Sequence, residues 1–351
     1  MQFTRTTKAF STIKGILIIV ILLSSIIISI LAWNHSSLDA QNDNIEPEIP
    51  DQGPTETNEP TEPEEPTEPE QPQDPTTPKS NGSEWASVRV GEQNYRFDPT
   101  TVNTTRPDLF KQGQFSMFDI LVHLDEQNKI DLAYHFDETM NTHVIDALNG
   151  STGWWYMTHY SGGWPEQNVF RPDHYPWKLG TQLHFYKESY SKIAKIYSVW
   201  TQETQRQENN IGKIIIPKVS IRGNTFTKEF TDVEVAPHNL RNDVFQENVI
   251  TAIDVIMSLG DQEKITHDLQ WYDYIGTASI VRSYWVEAID SDVAVGTCGF
   301  VYESGAEQYR WAAGNHIHLP SDTRIINSPE YVEFFWICLT VDPPPAFPQE
   351  P

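Results

Sequence analysis

The chain has 351 residues, and 49 acidic against 24 basic side chains give a formal net charge of −25. At roughly 100–200 residues per domain, this length accommodates two ordinary domains with extensions. A surface so acidic repels phosphate backbones, which argues against nucleic acid as a partner.

Residues 1–14 form a short stub carrying Arg5, Lys8 and Lys14. Gly15 to Trp33, GILIIVILLSSIIISILAW, contains no charge and no proline. As a helix rising about 1.5 Å per residue, this stretch nearly crosses a hydrocarbon core of roughly 30 Å. Basic residues precede it and Asp39, Asp43 and Glu46 follow, so the positive-inside bias places Met1 in the cytoplasm and the remainder outside. A cleaved signal peptide is the alternative, but its apolar region is shorter and ILAWNHSS makes a poor cleavage site. Residues 34–84 follow, with about fourteen acidic residues against the single Lys79 and a proline every few positions. Such a segment forms neither helix nor sheet ladder and has almost nothing apolar to pack, so it is expected to be an extended disordered stalk. Glycosylation sequons at Asn34, Asn81, Asn103 and Asn149 agree with an extracellular position.

Beyond the stalk the chain repeats itself. RPDLFKQGQFSMFDILVHLDEQNKI, from Arg106 to Ile130, aligns without a gap with RNDVFQENVITAIDVIMSLGDQEKI, from Arg241 to Ile265, at an offset of 135 (241 − 106). Arg106/Arg241, Asp108/Asp243, Phe110/Phe245, Asp119/Asp254, Leu124/Leu259, Gln127/Gln262, Lys129/Lys264 and Ile130/Ile265 are identical. Within the repeat, SMFD and TAID fit a capping box, predicting helices that open at Ser116 and Thr251 with Asp119 and Asp254 returning to the cap. Met117, Leu121 and Leu124 make an apolar stripe at helical spacing. Before each helix a predicted hairpin stands, SVRVGEQNYRF in copy one and KIIIPKVSIRGNTFTKEFTDVEV in copy two. After the helices, THVIDALNG, WWYMTHY, TQLHFY and KIAKIYSVW read as strands in copy one, as do SYWVEAID, CGFVYES and YVEFFWICL in copy two. The expected class is α+β, each copy packing a short helix on a mixed β-sheet.

Phe115 to Tyr186, with FSMFDILVHL, THVIDALNG, WWYMTHYSGG and DHYPWKLGTQLHFY in that order, resembles the uncharacterised surface domains related to the transcobalamin C-terminal β-domain. The resemblance implies a β-grasp-like fold, here in tandem over residues 85–205 and 206–342 with a tail at 343–351. In transcobalamin a related domain covers one side of bound cobalamin, so the resemblance also implies a small-molecule reading. Copy two departs from it where TCGFVYESG replaces WWYMTHYSGG.

The candidate contact surface is the aromatic run of copy one, with Trp155, Tyr160, Trp164, Phe170, Tyr175 and Trp177 as ligand-binding residues. A long loop with Gly162 and Gly163 carries several of these rings, which could stack on a sugar, a corrin or a partner protein. The competing reading buries them in the domain's own core. His316 and His318 alternate along one predicted strand, and His123, His135, His143, His159, His174 and His184 crowd copy one, yet no metal-ligand spacing appears and no metal or cofactor is expected. Cys298 and Cys338 both fall on predicted strands of copy two; an oxidising compartment favours a disulfide, and small apolar core residues are the alternative. There is no G-x-S-x-G elbow, P-loop or dinucleotide fingerprint, and the capping role accounts for Asp119 and Asp254, so no enzyme is expected. The sequence thus predicts a single-pass cell-surface binding or adhesion protein, with small-molecule capture and a structural spacer as alternatives.

Overall fold

Val88 and Val90 face one way and Arg89 the other along β1 (Ala86–Val90), the alternation that a half-buried strand requires. The strand turns at Gly91, whose φ of +57° suits glycine, into the antiparallel β2 (Gln93–Phe97). The computed structural model describes residues 85–160, 166–167, 170–274, 281–309 and 319–338. All of them belong to one unit of the chain, Thr77–Pro351. The predicted stub, membrane segment, stalk and tail lie outside the described residues, as do Asn34, Asn81, Trp164, His316 and His318, and the side chain of Tyr160. Among the described residues no helix is long and apolar enough to cross a membrane.

The protein is α+β with mixed sheets. After β2 the first half runs through α1 (Met117–Glu126), the hairpin β3 (Leu132–Asp137) and β4 (Thr142–Leu148), then β5 (Trp154–Tyr160), β6 (Glu166–Gln167), β7 (Thr181–Lys187) and α2 (Tyr190–Asn209). The second half has β8 (Ile214–Arg222), β9 (Thr227–Val235), α3 (Ile253–Asp261), β10 (His267–Tyr272), β11 (Ser283–Ile289), β12 (Asp292–Val293), β13 (Cys298–Gly305) and β14 (Tyr331–Cys338). The first sheet is ordered β2-β1-β7-β5-β6 and the second β9-β8-β14-β13. Both halves pair their opening hairpin antiparallel, lay the last strand parallel to the first, and add an antiparallel neighbour beyond it. A parallel pair needs a long crossover, and in each half the helix and the separate hairpin supply it.

Each half buries a core built mainly from its own residues, with Leu319 of the second half entering the first. In the first, Met117, Phe118, Ile120, Leu121 and Leu124 of α1 pack with Val88, Phe97, Tyr156, Leu183 and Phe185 of the sheet. In the second, Ile253, Val255, Ile256 and Leu259 of α3 pack with Ile216, Val219, Val233, Val332 and Phe334. Each such side chain contributes about 1.5–3 kcal/mol on burial. The first helix opens with a full capping box, Ser116 Oγ accepting from Asp119 N–H and Asp119 accepting from Ser116 N–H. The second departs from the predicted box: α3 starts at Ile253, and the Thr251 hydroxyl donates to Asp254 (2.8 Å). Only the return from Thr251 N–H to Asp254 (2.7 Å) is kept.

KIAKIYSVW, read from the sequence as a strand, is helical and lies in the N-terminal half of α2. Ile193, Ile196 and Trp200 are spaced at i, i+3 and i+7 and enter the first core, while Ser189 caps the helix through Lys192 N–H. The β-branched residues suggested strand, but burial on one helical face decides.

The halves meet about an internal two-fold. Lys111 N–H donates to the Val244 carbonyl and Gln246 N–H to the Leu109 carbonyl, both at 2.9 Å. With Lys111 equivalent to Gln246 and Leu109 to Val244, these two bonds exchange when the halves are exchanged. Between them Phe110 faces its own counterpart Phe245 (ring centroids 5.6 Å apart), in a small cluster with Val244 and Ile325.

Candidate functional site

The residues identical in the two copies build the same buried constellation twice. Arg106 donates through Nε and Nη2 to Asp108 (2.9 and 2.7 Å), through Nη1 to Asp173 (3.0 Å), and to the Asn141 carbonyl (3.2 Å). Arg241 donates in the same way to Asp243 (2.9 and 2.9 Å), to Asp322 (2.9 Å), and to the Arg282 carbonyl (3.3 Å). Both arginines are buried, and the forked guanidinium is the group whose geometry matches a carboxylate bidentately. Burial works against the Arg106 charge, but Asp108 and Asp173 outweigh it and hold its pKa above the ordinary value.

Asp173 and Asp322 are fully buried and have equivalent partners. Asp173 accepts from the Thr142 hydroxyl and from His143 N–H (2.9 Å), and Asp322 from the Ser283 hydroxyl and from Tyr284 N–H (2.8 Å). Complete burial disfavours the charge on Asp173, yet His174, His143, Arg106 and Thr142 together hold it well below the usual carboxylate range. Tyr284 and Thr323 take the places of His143 and His174 in the second half, and there burial prevails over Arg241 and Ser283 and raises Asp322. The segments bearing these aspartates also dock the helices. Met117 and Phe118 donate N–H to the carbonyls of Tyr175 and Pro172, as Ala252 and Ile253 do to Arg324 and Ser321. Sequence reasoning missed Asp173 and Asp322, because past an insertion only the aspartate itself is shared between PDHYPW and SDTRII.

Four of the six predicted ligand-binding rings are used in packing. Trp155 is 3% exposed against Trp200 (5.6 Å), and Phe170 and Tyr175 are equally buried. Trp177 is half-buried and stacks on Phe115 at 5.2 Å. As placed, Trp155, Phe170 and Tyr175 offer no face to a ligand. Trp85, Tyr190 and Tyr274 are exposed singly outside the strands, and further rings reach the surface on the two separate hairpins. Tyr134 and Phe136 on β3 are 37% and 43% exposed, and His143 on β4 contacts both rings (5.7 and 5.1 Å). At the position equivalent to Phe136, β10 carries the half-buried Trp271, edge-on to Tyr284 of β11 at 5.0 Å. The buried arginine supports each ring identically: the guanidinium carbon lies 5.3 Å from the Phe136 centroid in one half and 5.3 Å from the Trp271 centroid in the other.

Cys298 and Cys338 stand opposite each other on β13 and β14 and are disulfide-bonded. Asn103 and Asn149 are exposed. Among the described residues no group of three or more His, Cys, Asp or Glu side chains could hold a metal ion. His135 pairs with Asp146 on the surface, and His174 is buried at the junction of the halves. Two small pockets, one lined by Trp285, Phe300 and Phe334 and the other by Trp154, Trp155 and Trp200, each have room for about one water.

Fold and site together describe an internally duplicated α+β protein with a matched aromatic hairpin on each half. No family model, curated protein or solved structure matches the chain.

Proposed function

We propose that this is a membrane-anchored cell-surface protein of the binding or adhesion class, in which two tandem β-grasp-like domains, joined at Asn210–Lys213 rather than at the 205/206 boundary expected from the sequence, present the aromatic hairpins as contact surfaces. Support for the surface position comes from the uncharged Gly15–Trp33 stretch, the acidic proline-rich 34–84 segment and the Cys298–Cys338 bond. The strand order of each sheet, with its last strand parallel to its first, supports the β-grasp reading. One observation carries the binding role: Phe136 and Trp271, unlike in sequence but equivalent in place, are each partly exposed and each backed by a buried arginine. A rigid ring held against solvent costs little ordering entropy on binding, which suits a neutral polar ligand with a flat apolar face, such as a pyranose.

Burial of Trp155, Phe170 and Tyr175 favours a second reading, a structural spacer without a ligand. The experiment is a glycan array probed with the full-length chain, with cyanocobalamin titrated in parallel to test the corrinoid alternative. Retention of a neutral glycan that Phe136→Ala and Trp271→Ala each weaken about tenfold, the loss of roughly 1.4 kcal/mol, supports the contact surface. Retention unaffected by either variant, or no retention of any glycan, overturns it. Binding of cyanocobalamin alone moves the function to small-molecule capture.

A further inference from the structure

The contact between the halves is self-complementary. Phe110 meets Phe245, its own equivalent, and the flanking hydrogen bonds map onto each other when the halves are exchanged. Such an isologous patch forms as well between two chains as within one, provided the covalent connection allows it. Further contacts accompany it: Asn327 Nδ2 donates to His174 Nδ1 (3.3 Å), Gln246 Nε2 to the Phe110 carbonyl (2.9 Å), and Arg206 Nε to the Ser328 carbonyl (2.9 Å). None of these involves residues of the short connection itself.

That connection is Asn210–Lys213, between the end of α2 at Asn209 and the start of β8 at Ile214. α2 belongs to the first half, since Ile193, Ile196 and Trp200 lie in its core and Glu203 pairs with the buried Arg171 at 2.6 Å. Ile211 therefore stands at the hinge. Its φ is +58°, a left-handed backbone that a β-branched residue strongly disfavours, and its side chain is 92% exposed, with no packing to offset the strain. Gly212 beside it, at φ +80°, is the residue type that such a turn accepts. Straightening the hinge releases Ile211, and a short strained connection favours exchange of the modules it joins.

We propose that two copies of this chain exchange halves, the first half of each docking on the second half of the other through Phe110 and Phe245, with Asn210–Lys213 extended. The partner is thus a second copy of the same chain. The proposal stands on the duplicated junction and the hinge, independently of the aromatic hairpins and their ligand.

The test uses full-length chains. Phe110 and Phe245 form a non-hydrogen-bonded antiparallel pair, whose Cα atoms lie about 4.5 Å apart, within disulfide reach. The described cysteines are already bonded to each other, so new thiols have no native competitor among the described residues. A chain carrying Phe110→Cys is mixed with one carrying Phe245→Cys, concentrated, oxidised mildly and run on a non-reducing gel. The expected result is a covalent dimer, whose yield at a limiting concentration falls about tenfold or more when Ile211→Gly removes the strain from both hinges. Closure of the bond inside a single chain carrying both cysteines, without any dimer from the mixture, overturns the proposal, and so does a yield indifferent to Ile211→Gly. Should cysteine at these core positions unfold the chain, sedimentation of the unsubstituted chain over a range of concentrations provides the second readout: a dimer that Ile211→Gly shifts toward monomer supports the proposal, and a monomer at every concentration overturns it. Failure of the Phe110→Cys, Phe245→Cys pair to close even within one folded chain overturns the junction and the proposal together.

Discussion

Acidification should loosen this protein through one histidine. His174 is 2% exposed and bridges the halves: Nδ1 lies 3.3 Å from Asn327 Nδ2, and Nε2 lies 2.9 Å from both the Asn141 carbonyl and Arg106 Nη1. A ring protonated at both nitrogens would set one N–H against the Asn327 amide hydrogens and the other, with added charge, beside the Arg106 guanidinium. Burial first, then Arg106 and Arg171, outweigh Asp173 and the Asn141 carbonyl and depress His174 from 6.5 to about 3. The unfolded chain takes up this proton near pH 6.5 and the folded chain only near pH 3. The contribution is therefore complete above pH 6.5 and is lost as pH falls, at about 1.4 kcal/mol per pH unit. Between pH 6.5 and 5 that amounts to about 2 kcal/mol. Asp173, also depressed, adds to the loss only below its unfolded pKa of 3.8, outside this window. Urea unfolding at pH 7 and pH 5 measures the effect, with His174→Gln retaining an amide donor and acceptor but no titration. The variant should be less stable at pH 7 and should lack the extra acid-induced loss of about 2 kcal/mol. Equal acid losses in both proteins would refute the reasoning.

Three further outcomes follow from buried polar groups and the cross-link. Asp119 accepts from Thr105 N–H, Thr105 Oγ, Ser116 N–H and Ser116 Oγ, each at 2.7 Å, so Asp119→Asn sets an amide against donors and should lower stability by about 3 kcal/mol in chemical denaturation. His238 is held above 6.5 chiefly by its hydrogen bond to Asp254, against burial and with help from Asp261; in Asp254→Asn its NMR-detected titration should move to lower pH. The Cys298–Cys338 bond closes a loop with a sequence separation of 40, and reducing it should cost about 3–4 kcal/mol, read as a lower urea midpoint under reductant.

The duplication was legible because the two copies preserve the Ser/Thr-x-x-Asp spacing, apolar stripes and the Arg–x–Asp pair at one offset. Strand-like runs also gave the opening hairpins, β1–β2 and β8–β9, and β4, β5, β7, β11, β13 and β14, while β3 and β10 went unread. α2 was not legible as a helix, since Ile193, Ile196 and Val199 suit a pleated surface as well as a helical face, and only contact with Trp155 and the first core separates the two. Alternation fixes that neighbouring rings in WWYMTHY point to opposite faces. It does not reveal that α2 covers the second face, which is why Trp155 is buried along with Tyr156. Arg106 and Asp108 were visible as identities without a role, because their third partner, Asp173, lies far along the chain beyond any alignable stretch. The exposed rings Tyr134 and Phe136 stand singly among polar residues in the sequence, and only the cross-strand contacts with His143 assemble them into a surface.

Amide hydrogen exchange at the junction tests the internal two-fold most directly. Lys111 and Gln246 donate the two symmetric bonds, so their amides should be protected to a similar degree in the native chain and both should lose protection together in Phe110→Ala and again in Phe245→Ala. Protection that disappears at one of these amides while the other stays closed would show that the halves do not meet about a shared axis, contradicting the architecture on which the exchange of halves depends.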